Sequence, residues 1–133
     1  MSIINLLDFK PLGDDRGSLV ALEQGIDIPF EVKRVYYIFD TKSDVARGFH
    51  AHKALHQIAI CISGSCRMVL DDGYSREEVL IQSPEKGIDL PPFLWHEMHD
   101  FSPDCVLLVL ASDIYDENDY IRDYELFKRG IRR

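Results

Sequence analysis

Turn-forming clusters punctuate the chain at short intervals, and no other feature of the sequence limits its fold so tightly. "LGDDRG", "DTKSDVARG", "SGS", "DDG", "SPEKG", "LPP" and "FSPD" are built from Gly, Pro, Asp and Ser, the residues that supply turn geometry. The segments between them are short and mostly apolar: "SLVALE", "VKRVYYIFD", "HQIAICI", "CRMVLDD", "EEVLIQS", "GIDLP" and "CVLLVLAS". Such runs match strands, and they leave no long amphipathic stretch before residue 115 for a helix-rich fold. The expected fold is therefore all-β, a barrel or a sandwich. "HQIAICISGSCRMVLDDG" reads as a hairpin turning at Ser63-Gly64-Ser65, where glycine can supply a positive φ. Only "ENDYIRDYELFKRGIRR" departs from this rhythm. There Tyr120, Ile121, Tyr124, Leu126 and Phe127 fall near helical spacing and predict a short C-terminal helix.

Linker composition, low-complexity tracts and internal repeats are absent, so a single domain is expected over residues 1–133. A chain of this size buries about two-thirds of the surface its unfolded form exposes, enough for a real core. Its formal net charge of −8 provides no broad basic surface for a phosphate backbone, which disfavours nucleic-acid binding. No segment approaches the run of about 20 apolar residues needed to cross a bilayer. The start, "MSIINLLDFKPLGDDRGS", lacks the pattern of a secretory signal, so a cytoplasmic setting is expected. Cys61, Cys66 and Cys105 are odd in number and lie in apolar runs, which suits reduced packing residues. Serine-nucleophile, P-loop and dinucleotide-binding signatures are missing. The acidic patches "DDG" and "YDENDY" lack a calcium-loop pattern and read as turns and solvated surface.

Chemistry concentrates in "RGFHAHKALHQIAICISG", residues 47–64, which places His50, His52 and His56 within seven positions. On an extended strand alternate side chains share a face, so His50 and His52 stand about 6.6 to 7 Å apart along the chain and can meet one small ligand. His56 falls across a strand boundary and reads as a surface or interface histidine. In "VKRVYYIFD" the polar Arg34 and Tyr36 share one face, a plausible pocket wall, while Val35, Tyr37 and Phe39 share the other. In "LPPFLWHEMHDFS", His96 and Met98 point one way and Trp95, Glu97 and His99 the other.

The spacing His50-x-His52-x4-Gln57-x6-Gly64 resembles the first cupin motif, with Gln57 where a metal-binding cupin has Glu. A second cupin motif is fainter: Pro91 precedes His96 by five positions, but the expected glycines are missing. A neutral amide is a poor replacement for a carboxylate around a divalent ion, which argues against a metal, although three histidines alone can bind zinc. Over nearly the whole chain, "DRGSLVALE", "IPFEVKRVYYIFDT", "RGFHAHK", "GSCRMVLDDG", "WHEMHDFS" and "ASDIYDENDYIRDYELF" closely resemble the sugar 3,4-ketoisomerases. That resemblance implies a cupin-type jelly-roll β-barrel with a short C-terminal helix, a homodimer, and no metal or other cofactor. It further implies conversion of dTDP-4-keto-6-deoxyglucose to a 3-keto sugar, destined for a 3-amino-3,6-dideoxyhexose of the cell surface such as that of an O-antigen.

Moving a ketone from C4 to C3 requires removal of the C3 proton, an enediol, and protonation at C4. A neutral imidazole is a competent base near pH 7 and, once charged, a competent acid. His50 is the leading base candidate, with His52 and Tyr36 as acid or orienting partners. Arg34 suits a sugar diphosphate, because guanidinium forks match phosphate oxygens. Arg16 and Arg47, each before a glycine, are further candidates for the diphosphate or sugar, and Gln57 and His96 complete the expected site, with His99 a second choice. The resemblance also implies that Arg16 and His96 help set the C4 configuration. A galacto-like product is favoured, since there one base can return the proton on the face from which it came. The competing readings are a dTDP-sugar epimerase, a metal-dependent cupin oxygenase and a non-catalytic nucleotide-sugar binding module.

Overall fold

The computed structural model describes residues 2–131. One five-stranded sheet holds, in spatial order, β1 (Leu6–Asp8), β9 (Lys86–Leu90), β6 (Gln57–Ser63), β11 (Val106–Ala111) and β4 (Arg34–Ile38). The other holds β12 (Tyr120–Ile121), β5 (Arg47–His52), β10 (Trp95–His99), β7 (Cys66–Asp71) and β8 (Arg76–Ile81). A separate hairpin pairs β2 (Leu12–Asp14) with β3 (Gly17–Leu19), and the helix α1 (Tyr124–Ile131) ends the described chain. All these pairings are antiparallel, as short strands joined by tight turns require.

Apolar residues from both sheets fill the space between them, among them Met68, Leu70, Ile88 and Leu107, none of which is exposed. Cys61, Cys66 and Cys105 lie in the same cluster as free thiols. Burial pushes the Cys61 thiol up to about 12, so it stays protonated and unreactive. The architecture is the expected jelly roll with a short C-terminal helix. Among the described residues the ladders do not run from one sheet into the other, so the barrel is an open, two-sheet form.

Three local expectations are corrected. The turn at Ser63-Gly64-Ser65 forms, with Gly64 at φ +68°, but it does not close a hairpin. β6 is already paired on both sides by β9 and β11, and β7 by β8 and β10, so the turn carries the chain from one sheet to the other. The "SLVALE" run is strand only to Leu19; beyond it Val20 and Leu22 turn onto a second apolar cluster around Phe9, Ile28 and Ile58. The C-terminal helix starts at Tyr124 rather than before Tyr120. Asp123 accepts hydrogen bonds from the backbone N–H groups of Glu125 and Leu126, which fixes the helix start, and Tyr120 and Ile121 pair with β5 instead.

α1 then buries Phe127 completely against Ala51 and Trp95. Ala51 lies between His50 and His52, so this helix braces the strand that carries both imidazoles.

Candidate active site

Strand register assembles a cluster of rings. β10 pairs with β5 so that His96 stands opposite His50, and β12 pairs with the other edge of β5 so that Tyr120 stands opposite His52. Between His50 and Gly48 the β5–β10 register shifts, leaving Phe49 as an extra residue at φ +62° beside Gly48 at φ +90°. A bulky residue at positive φ is strained, and a bulge of this kind re-aims neighbouring side chains. The resulting ring-centroid separations are 4.5 Å for His50–His96, 5.0 Å for His50–His52, 4.9 Å for His50–Tyr120 and 4.4 Å for His52–Tyr120.

Each imidazole is anchored through Nδ1. His50 Nδ1 lies 3.1 Å from the Gly48 carbonyl, His96 Nδ1 3.3 Å from the Leu94 carbonyl, and His52 Nδ1 3.2 Å from the Asp119 carboxylate. A carbonyl or carboxylate oxygen can only accept, so Nδ1 carries the hydrogen in all three rings and Nε2 keeps its lone pair. Burial, reinforced by the neighbouring histidines, pulls His50 down to about 4 and His96 to about 3. His52 is lowered too, by burial, with Asp119 opposing the fall. All three rings are thus neutral near pH 7, the form that accepts a proton.

Two cavities meet at this cluster. One, of about 210 Å³, is lined by Arg34, Tyr36, Arg47, His50, His96 and Tyr120 among others. The second, of about 140 Å³, lies on the His52 side between Arg34, Asp119 and Tyr120. Arg34 and Tyr120 belong to both, so His50 and His52 open onto adjoining lobes rather than one chamber. The Arg34 guanidinium sits 5.2 Å over the Tyr36 ring, and its buried Nε has no hydrogen-bond acceptor among the described residues. An unpaired buried donor costs about 1–3 kcal/mol, so this position calls for an oxygen from a ligand. Tyr36 donates its hydroxyl to Gln57 Oε1 at 2.6 Å, and burial pushes its phenol up to about 12, so it remains a proton donor.

The structure therefore brings together Tyr36, Arg34, Arg47, His50, His52 and His96. Gln57 is fully buried behind Tyr36 and lines neither cavity, so it reaches a ligand only through the phenol. Arg16 stands apart, at the turn of the β2–β3 hairpin, with its side chain 87% exposed and paired to Asp14. Within one protomer it takes no part in the site. His56 lies outside both lobes, bonded through Nε2 to Asp89 and packed against Phe30, and His99 is bonded to Glu97.

Asp119 and Tyr120 belong to the site but lie in "YDENDY", the run whose acidity marks it as solvated surface. The segment instead folds back across the rings as a 3₁₀ turn, Glu117–Asp119, followed by β12. No local pattern marks the pair, because the partners that place them, His52 and Ala51, lie far upstream on β5.

One ring nitrogen of each histidine lies within 4.8 Å of the others, so the trio could hold a divalent transition metal. The position that supplies an anionic ligand in metal-binding cupins is Gln57, whose amide oxygen is occupied by Tyr36.

The family described as "FdtA: WxcM-like, C-terminal" matches residues 2–132. A TDP-4-oxo-6-deoxy-alpha-D-glucose-3,4-oxoisomerase from Aneurinibacillus thermoaerophilus is 57% identical over 128 residues, 96% of this chain and 92% of that one. A 3,4-ketoisomerase from Helicobacter canadensis superimposes with a TM-score of 0.96 at 47% identity, covering 100% of both chains. A point mutant of the 3,4-ketoisomerase QdtA from Thermoanaerobacterium thermosaccharolyticum, solved in complex with TDP-4-keto-6-deoxyglucose, superimposes with a TM-score of 0.95 at 42% identity, covering 99% and 96% of the two chains.

Proposed function

The chain belongs to the FdtA, WxcM-like C-terminal family as a nucleotide-sugar 3,4-ketoisomerase, and we propose that it converts dTDP-4-keto-6-deoxyglucose to the galacto-like 3-keto sugar by histidine acid–base chemistry without a metal. The observation that carries this mechanism is the shared anchoring of His50, His52 and His96 through Nδ1, which leaves neutral Nε2 lone pairs at the sugar lobes.

One Nε2 removes the C3 proton, the electrons pass through the C3–C4 bond to the C4 carbonyl oxygen, and that oxygen takes the hydrogen of the neighbouring C3 hydroxyl, leaving an enediolate with its charge on the C3 oxygen. Arg34 is placed to hold the developing oxygen charge through its unpaired Nε, and Tyr36, whose hydroxyl hydrogen is held by Gln57, lines the same lobe as an orienting partner. An imidazolium then returns a proton to C4 as the C3 oxygen becomes the ketone. His50 and His52 carry the transfer, and His96 closes the opposite wall. Arg47 lines the lobe from the β5 side, where a diphosphate oxygen would meet a guanidinium fork. The buried, protonated thiols suit a reducing, cytoplasmic setting. Among the described residues no helix is long and apolar enough to cross a membrane.

Arg16 joins this scheme through a second copy of the chain. The β2–β3 hairpin stands off its own sheets with Leu12 and Leu19 exposed, and the edge strand β4 shows Val35 and Tyr37, followed by Phe39, to solvent. A homodimer in which the hairpin of one protomer lies along the other covers these apolar residues and carries Arg16 toward the partner's site.

The test follows the proton signals at C3, C4 and C5 by NMR as the protein acts on dTDP-4-keto-6-deoxyglucose. Loss of the C3 proton with a new C4 proton in galacto-like configuration supports the proposal. Exchange at C5 indicates epimerisation, and bound nucleotide with no exchange indicates a binding module; either overturns it. For Arg16, a heterodimer of an Arg16→Ala protomer with a His50→Asn protomer regains about half of the native activity if the arginine acts across the interface, and none if it acts within its own chain.

A further inference from the structure

Tyr120 forms a wall of both site lobes and also a wall of an outer groove of about 370 Å³ between β12 and α1. Arg122 lines that groove and neither lobe, yet its guanidinium lies 4.2 Å over the Tyr120 ring. The same ring stands 4.4 Å from His52 and 4.9 Å from His50. A residue outside the site is thus one contact away from two of its imidazoles.

Arg122 is itself clamped. Its Nε and one terminal nitrogen donate to the two oxygens of Glu117, each at 2.9 Å, which makes a two-pronged fork. Glu117 Oε2 also accepts the Tyr115 hydroxyl, and the Tyr115 ring packs 5.7 Å from that of Tyr120. The Arg34 guanidinium, which reaches the site lobes, sits 5.8 Å over Tyr115. Stacked rings and cations therefore run from Arg122 through Tyr120 and Tyr115 to Arg34, and Glu117 ties the outer end. Arg122 and Glu117 are half exposed, where an isolated ion pair contributes little, but a fork inside a network is the exception. The Arg122 guanidinium, helped by the Tyr115 hydroxyl, holds the Glu117 carboxyl down at about 2, so the clasp stays charged near pH 7.

β12 is only two residues long and lies at the edge of its sheet, so backbone pairing gives Tyr120 little support. We propose that Arg122, clamped by Glu117, is a positioning residue that holds the Tyr120 ring against His50 and His52 and so keeps the site walled for proton transfer. The inference rests on the ketoisomerase reading for its kinetic arm. Such a wall governs rate more than affinity, because the reacting groups must be held near contact geometry and away from water.

The test compares Arg122→Gln, Arg122→Lys and Glu117→Gln with the wild type. Arg122→Gln is expected to lower kcat about 10- to 100-fold, with KM and the affinity for dTDP within a few-fold. Arg122→Lys keeps the cation without the fork and is expected to recover part of the rate. Combining Arg122→Gln with Glu117→Gln is expected to cost no more than the larger single loss, since the two side chains act as a unit. A native kcat in Arg122→Gln, losses that multiply, or a loss confined to KM or dTDP affinity overturns the proposal; the last would make Arg122 a phosphate ligand instead. Proton NMR of the folded protein without substrate reads the wall directly, because the Tyr120 ring current displaces the ring-proton signals of His50 and His52. In Arg122→Gln those signals are expected to move toward their positions in Tyr120→Leu, and signals left at wild-type positions overturn the proposal. Absence of turnover in the wild type would instead count against the ketoisomerase reading, and the ring signals would still decide the role of Arg122.

Discussion

Tyr36 donates its hydroxyl to the amide oxygen of Gln57 at 2.6 Å, so the side chain that occupies the acid position of the cupin motif holds a phenol in place. Gln57 is buried on β6, and Tyr36 reaches it from β4, with β11 between the two strands. An amide serves here because it accepts the hydroxyl hydrogen without bringing a charge into the core.

Gln57→Leu leaves the Tyr36 hydroxyl without its partner and is expected to destabilise the fold by about 1–3 kcal/mol, with a loss of kcat. The two residues act as a unit, so the kcat loss of the Tyr36→Phe and Gln57→Leu double variant should be well short of the product of the single losses. Multiplicative losses in steady-state kinetics would show that they act independently.

Gly48 is both the hydrogen-bond acceptor for His50 and the hinge of the bulge on β5. A Cβ at this position would come within 2.9 Å of the His96 carbonyl oxygen, and its φ of +90° suits only glycine. Gly48→Ala is expected to separate β5 from β10 locally and reduce kcat about tenfold or more while far-UV circular dichroism stays native. A native rate would mean that the His50–His96 contact does not govern catalysis.

Stability should fall in mild acid. His50 and His96 are held neutral in the fold, down to about 4 and about 3, whereas in the unfolded chain they titrate near 6.5. Below pH 6.5 the unfolded state binds protons that the folded state does not, so this stabilisation is intact above pH 6.5 and drains away as pH falls toward 4. Urea unfolding midpoints are expected to drop between pH 7.5 and pH 5, above the range where carboxylates titrate, and to drop less in His50→Asn. Equal midpoints at the two pH values would contradict the neutral cluster.

Phe127 is wholly buried under α1 against Ala51 and Trp95. Phe127→Ala is expected to cost about 3–5 kcal/mol in chemical denaturation, and to lower kcat in the protein that remains folded, because the helix braces the His50–His52 strand. A small change in stability would show that α1 is an independent appendage.

Much of this arrangement was legible in the sequence because its determinants are local. The period-two alternation of "VKRVYYIFD" placed Arg34 and Tyr36 on one face, and both line the site. The same alternation put His50 and His52 together, though a bulge at Phe49 sets their orientation. What escaped was non-local. Asp119 and Tyr120 come into place only when a segment 67 residues downstream folds back, and their acidic neighbours disguise them as surface. The turn at Gly64 was visible, but whether it joins two strands of one sheet or two sheets depends on partners elsewhere in the chain. Arg16 shows a further limit, since one protomer gives it no site.

The most direct measurement uses substrate carrying deuterium at C3, with and without exhaustive chelation. Proton transfer by neutral imidazoles requires that breaking the C3–D bond slow turnover, that the label leave C3 as a hydrogen is delivered to C4, and that the chelator change nothing. Label retained at C3 in a sugar that has nonetheless turned over, or turnover abolished by chelation and restored by a divalent ion, would contradict it.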